Sequence, residues 1–251
     1  MVHPVPHPFF DPAQADAFNA LADETDSSFE VRYFHLHGQG GLARTLIVIG
    51  TNGHSRLTNV HEDDWAENKP TTPFGVMPLL TETSADGKTK LQIAESDAIE
   101  RYLARKFGLF GNGTAFEKVL VNTFANSTQG LIMSIFNSYG LIEDRAVRTK
   151  NKGPLISDSI APWIKYHEQH LQANGANGHY VGNKVSLADV KTDYVISMIQ
   201  GLSGDELVSE EKTPAIWKVR QEMDKIGGVA EWKASEEYKS LGKENFDFLG
   251  Y

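Results

Sequence analysis

A tyrosine, a tryptophan, a lysine and an acid–serine pair stand where chemistry is conceivable, and cysteine is absent altogether. Tyr33 lies near the end of an aromatic and β-branched segment, just ahead of three closely spaced glycines; Trp65 and Lys69 fall in an irregular polar stretch; Met77-Pro78 opens a short strand; Glu95-Ser96 starts a helix. Read singly, each has an ordinary structural role. A strand tyrosine packs with its hydroxyl at a boundary, a loop lysine is solvated, a proline begins a strand without an N–H partner, and Glu-Ser caps a helix. The lack of cysteine excludes a disulfide framework, a thiolate zinc site and a cysteine nucleophile. Any sulfur chemistry must use a sulfur that a ligand brings.

Other signals are weaker. His35 and His37 share one face of an expected strand and His167 and His170 one turn of a helix, a spacing open to metal ligands. They read better as surface histidines, and His167-Glu168-Gln169-His170 is one residue short of the zinc-protease helix, so no metal site is expected. Gly38-Gln39-Gly40-Gly41 lacks the spacing of a dinucleotide fingerprint, and neither a Walker loop nor a Gly-x-Ser-x-Gly elbow occurs.

The elements that must position these residues follow from composition and period. At 251 residues, 40% hydrophobic and 23% charged, the chain can bury a core and form one or two domains. Its 24 basic and 33 acidic side chains leave a formal charge of −9, which disfavours nucleic acid and anionic lipid as partners. No run approaches the roughly 18 apolar residues of a membrane span, and Met1–Ser28 lacks the basic and apolar regions of a secretory signal, so a cytoplasmic protein is expected. This 1–28 extension offers one helical turn around Ala13–Ala22. Phe29–Leu36 suits a strand, and Leu42–Ile49 a helix that stops at Gly50. His61–Phe74 has no period and reads as a surface loop. Met77–Glu82 and Lys90–Ile93 are strands around the Asp86-Gly87 turn, and the helix from Glu95 ends at Gly108. Gly108–Thr114 is the natural linker. Beyond it Phe116–Tyr139, Leu155–Leu171, Leu187–Leu202 and Ala215–Ile226 all carry helical spacing. Ser186 and Asp189 form a Ser-x-x-Asp helix-start box.

Three stretches together resemble the cytosolic glutathione transferases of the tyrosine type, the sigma class above all. They are Tyr33-Phe34 with Gly38 and Arg44 behind it, the run from Asp64-Trp65 through Lys69 and Pro73-Phe74-Gly75 to Met77-Pro78, and Glu95-Ser96-Asp97-Ala98-Ile99. They cover Phe29–Gly108 in order, and His179–Asp189 echoes the family's helical-domain signature. The resemblance implies an α/β plus all-α architecture: a thioredoxin-like glutathione-binding domain over 29–108 and an all-helical domain over 109–251 that supplies the second-substrate pocket. It also implies glutathione as co-substrate, a small-molecule electrophile as acceptor, and a homodimer.

Glutathione carries a thiol, two carboxylates and an ammonium, and the resemblance gives each a partner. A thiol of pKa about 8.5 is only a few per cent ionised at neutral pH, so a phenol donating to the sulfur anion raises the reactive fraction. Tyr33 takes that role. Trp65 and Lys69 take the glycine carboxylate, Met77 and a cis Pro78 offer the backbone to the cysteine, and Glu95 and Ser96 hold the γ-glutamyl end. The implied activity is conjugation of the thiolate to small hydrophobic electrophiles, with hydroperoxide reduction as a side activity. Two departures stand out. Gln39 occupies the place of the sigma arginine, and Asn122 the place of an expected acid. They keep two alternatives open, a weakly active or structural glutathione-fold protein and a glutathione-dependent isomerase of the prostaglandin-synthase kind.

Overall fold

A computed structural model describes residues 12–243. The first eleven residues of the 1–28 extension and the last eight of the expected helical domain lie outside the described residues. The chain divides into two compact units. One runs to Phe107 and takes back Gly227–Leu241, and the other comprises Gly108–Ile226 with Gly242 and Lys243.

In the first unit, helix α1 (Ala15–Asp23) precedes strand β1 (Ser28–Tyr33). β1 alternates strictly, with Phe29, Val31 and Tyr33 buried and Ser28 and Glu30 exposed, so Tyr33 is the last residue of the inward face. The expected strand to Leu36 stops three residues sooner because the chain turns toward the glycines. Helix α2 (Gly40–Thr51) follows and buries Leu42, Leu46 and Ile47. Gly50 does not stop it; the helix closes at left-handed Asn52, and Gly50 is instead the site where the Phe107 ring presses in, 2.1 Å from where a Cβ would stand. Strand β2 (Leu57–His61) leads to one short turn, α3 (Trp65–Asn68), and a 3-10 turn at Lys69–Thr71. The expected surface loop therefore carries local structure, capped by the Asp64 side chain. Strands β3 (Leu79–Thr83) and β4 (Lys90–Ala94) and helix α4 (Ser96–Lys106) complete the set. The sheet order is β2-β1-β3-β4, with β1 and β2 parallel and the rest antiparallel. This is the expected thioredoxin-like arrangement.

Helix α1 is longer than the single expected turn and is tied down. Lys106 Nζ reaches the carbonyls of Leu21 (2.8 Å) and Glu24 (2.6 Å) and the Glu82 carboxylate (2.7 Å), which also accepts from Ser27 and Tyr102. Both charged groups of this pair are buried.

The second unit is helical. Helix α5 (Ala115–Ile135) opens on a Thr114/Glu117 capping box and ends in a wide π turn at Phe136–Gly140. Helices α6 (Arg145–Leu155) and α7 (Ala161–Ala173) are joined by a second π turn, Ile156–Ile160, bracketed by Pro154 and Pro162, whose missing N–H groups disturb the regular ladder. Helix α8 (Leu187–Ser203) is the most buried, and Asp189 accepts from the backbone N–H groups of Ser186 and Tyr180 at its start. Helix α9 (Pro214–Met223) closes the unit.

The expected all-helical domain over 109–251 needs one correction. Helix α10 (Val229–Ala234) and helix α11 (Glu236–Lys243) through Leu241 belong to the first unit. Gly228, at φ +79, lets the chain approach within 2.7 Å, by its would-be Cβ, of the Gly53 backbone at the end of α2. Trp232 is fully buried there. That contact joins distant segments and leaves no periodic trace.

Removing the cation from the buried Glu82–Lys106 pair strands a desolvated carboxylate. Lys106→Met is expected to lower unfolding free energy by about 3–5 kcal/mol in urea titration, and to open the segment around residues 15–27 to limited proteolysis.

Candidate active site

One end of the first unit's sheet gathers the residues singled out by sequence. Arg32, Leu79 and Ala94 pair in a row across β1, β3 and β4. The next positions at the same end are Tyr33, Pro78 and Glu95. Met77-Pro78 is a cis bond, as expected from the resemblance, and Pro78 is buried. Glu95 is exposed at φ +69, an uncommon conformation for a residue with a side chain, held while its carbonyl accepts the Ile99 N–H.

Tyr33 sits in a fitted recess. Its hydroxyl accepts the Gln39 N–H at 3.1 Å, so its own proton is free for another acceptor. The ring leaves no room for side chains at the turn, because a Cβ on Gly38 would lie 2.7 Å from the phenol oxygen and one on Gly40 2.9 Å from the ring. Burial raises the phenol pKa above its ordinary value, while the Gln39 N–H and the charge of Arg44 pull it back. Arg44 is fully buried, 5.9 Å from the Tyr33 ring centre, and bonds Asn59 Oδ1 (2.6 Å) and the carbonyls of Leu36 (2.8 Å) and His37 (3.4 Å). It fixes the turn from beneath. Sequence alone marked it only as one of the residues that carry the family likeness, although a charged side chain in the run Leu42–Ile47 was a signal.

Trp65 and Lys69 reach the same region by another route. Phe34 packs edge-on against both Tyr33 (5.3 Å) and Trp65 (5.7 Å). The Lys69 stem passes 3.3 Å from a would-be Cβ on Gly75, and its ammonium, like the Glu95 carboxylate, has no ion-pair partner among the described residues. Glu62, which sequence reasoning missed, staples this segment. It takes Arg32 from β1, the Asp64 N–H (3.0 Å) and Asn68 Nδ2 (2.9 Å). Burial works to raise its pKa, but the bonds from Asn68 and Arg32 prevail and hold it below the ordinary range. Ser96 Oγ donates to Gln39 Oε1 at 2.7 Å.

Two of the four histidines expected at the surface are corrected, and His170 is exposed as expected. β1 ends before His35 and His37, and His37 is buried against Tyr238, ring to ring at 4.2 Å, with its N–H on Leu241 O. His167 is buried too, bonded to Ser127 and Tyr180. Among the described residues no group of three potential ligands is placed to hold a metal. Asn122 bonds the Lys118 carbonyl of its own helix.

Residues 132–236 match the glutathione S-transferase C-terminal domain family. Glutathione S-transferase 1 of Ascaris suum is 30% identical over 174 residues, 67% of this chain and 79% of that one. The hematopoietic prostaglandin D synthase of Gallus gallus is 27% identical over 208 residues, 82% of this chain and 94% of that one. The solved Fasciola hepatica sigma class GST superposes with a TM-score of 0.69 at 22% identity, covering 83% of this chain and 96% of that one. The chain belongs to the glutathione S-transferase family.

Two buried histidines give the fold a pH dependence. Burial, then the Arg44 charge, lowers His37 to about 3, and burial, then His170, lowers His167 to about 3, both from 6.5. Between pH 6.5 and 3 the unfolded chain binds more protons than the folded one, so stability falls as pH falls across that window. Thermal melts are expected to show this slope, and His37→Asn to flatten it.

Proposed function

We propose that this chain binds glutathione at the Tyr33 end of the first unit's sheet and adds its thiolate to small hydrophobic electrophiles. The observation that carries the reading is the Tyr33 hydroxyl, which accepts from a main-chain N–H and so keeps its proton for a sulfur anion. Donation to the anion favours the thiolate over the thiol, and each unit of thiol acidity gained is worth about 1.4 kcal/mol. In this reading Tyr33 is the catalytic residue. Trp65 Nε1–H and the Lys69 ammonium hold the glycine carboxylate, the Met77 backbone before Pro78 pairs with the cysteine, and Glu95 takes the γ-glutamyl ammonium. Ser96 and the first N–H groups of α4 take the γ-glutamyl carboxylate. The unpartnered Lys69 and Glu95 suit a ligand with a carboxylate at one end and an ammonium at the other. The helical unit supplies the apolar pocket for the electrophile.

The same bound thiolate can reduce hydroperoxides, and a ligand held without a leaving group can be isomerised. The isomerase reading draws support from the likeness to a prostaglandin D synthase. Gln39 in place of the sigma arginine supports modest turnover or a structural role, since it brings no cation to the sulfur. A sigma-like, cytoplasmic homodimer completes the proposal. No described helix is long and apolar enough to cross a membrane.

Retention on immobilised glutathione, followed by ultraviolet titration of the bound thiolate, tests the reading. Tyr33→Phe is expected to cut conjugation of a chlorodinitrobenzene-type acceptor at least about tenfold with glutathione affinity nearly unchanged. Equal rates in the two proteins remove Tyr33 from the mechanism. Lys69→Ala is expected to weaken glutathione binding instead, and an unaltered dissociation constant refutes its carboxylate role.

A further inference from the structure

We propose that Gln39 is a positioning residue for Tyr33: the hydrogen bond from Ser96 to its side chain holds the 38–40 turn so that the Gln39 N–H meets the phenol oxygen. The sulfur chemistry in this inference rests on the glutathione reading. The strut itself does not.

The turn needs such a tie. Gly38, at φ +39, and Gly40 flank Gln39, and glycine lets the backbone adopt many conformations. Upstream the turn is fixed, because Arg44 takes the carbonyls of Leu36 and His37 and the Gly41 N–H bonds His37 O at 2.6 Å. At residue 39 the side chain reaches out of the turn to another element. Ser96, the first residue of α4, gives its hydroxyl proton to Gln39 Oε1 at 2.7 Å, and the Gln39 N–H then stands 3.1 Å from the phenol oxygen. That N–H occupies a lone pair of the phenol and sets the direction of its proton.

Two consequences follow. Ser96 has one hydroxyl proton and Gln39 receives it, so Ser96 contributes its backbone N–H, not its hydroxyl, to a carboxylate at the start of α4. The amide also does by orientation part of what a cation at position 39 would do by charge. Gln39 acts on the phenol, and Ser96 acts on it through Gln39.

The test uses Gln39→Met, which keeps length and N–H but loses the acceptor, together with Ser96→Ala and the double variant. In the ligand-free protein, hydrogen exchange of the residue 39 amide is expected to speed up at least about tenfold in each single variant and no further in the double one. Ser96→Thr, which keeps the hydroxyl, is expected to restore slow exchange. With glutathione bound, the thiolate absorbance midpoint is expected to rise by up to about one pH unit in both single variants. Their loss of kcat/KM is expected to fade above the new midpoint, with KM for glutathione little changed in Gln39→Met. Unchanged exchange in Gln39→Met and Ser96→Ala overturns the strut. Faster exchange with an unmoved thiolate midpoint and unchanged rates overturns the positioning role. Faster exchange in a protein that binds no glutathione overturns the glutathione reading and supports the strut.

Discussion

A phenol oxygen buried at the end of a strand, with one hydrogen bond made and one proton still to place, is the constraint to which the first unit is built. Period 2 puts Tyr33 on the inward face with Phe29 and Val31, and as the last such residue its ring lies against the turn that follows. The turn that closes over it has no space for a Cβ at residue 38 or 40, so glycine stands at both. Glycine makes the turn possible and also leaves it free to move. Arg44 from beneath and Ser96 through Gln39 answer that freedom, with charge-assisted bonds to carbonyls on one side and a hydroxyl bond on the other.

Around this recess the charges are kept apart by the backbone that carries them. Glu62 is buried and fully engaged, so it acts as a staple between β1 and α3 and presents no charge to a ligand. Lys69 and Glu95 are exposed, and neither meets an opposite charge among the described residues. The glutathione reading depends on both charges being unpaired, because a ligand carrying both signs is oriented by two groups of opposite charge better than by one. The unusual backbone at Glu95 is held by the helix that starts beside it, and its carboxylate does not cap that helix.

Buried polar groups elsewhere do architectural work. The Glu82–Lys106 pair takes in the carbonyls at the end of α1 and so makes part of the N-terminal extension integral to the first unit. Returning segment Gly227–Leu241 does the same from the other end of the chain, packing the Tyr238 ring at a tilt against His37 and closing Gly228 against Gly53. In the helical unit His167 links Ser127 to Tyr180. Each of these groups is tolerable inside only because a partner satisfies it.

The sequence by itself determined most of the first unit's elements, their order, and the helical character of the second unit. β1, α2, β3, β4, α4 and the long helices follow from local period, glycine and capping signals, which need no knowledge of distant residues. Absence of cysteine likewise settled that no thiol comes from the chain. Tertiary structure decided what local pattern cannot hold: that Gly50 is a ring contact and not a helix stop, that His37 and His167 are inside, that Glu62 and Arg44 anchor the turn and its neighbour, and that the last helices rejoin the first unit. It also decided that Gln39 faces both Tyr33 and Ser96. Hydrogen bonds across 57 residues and packing across 175 (228 − 53) depend on where the folded chain brings its parts together, and a one-dimensional pattern carries only the interactions between near neighbours.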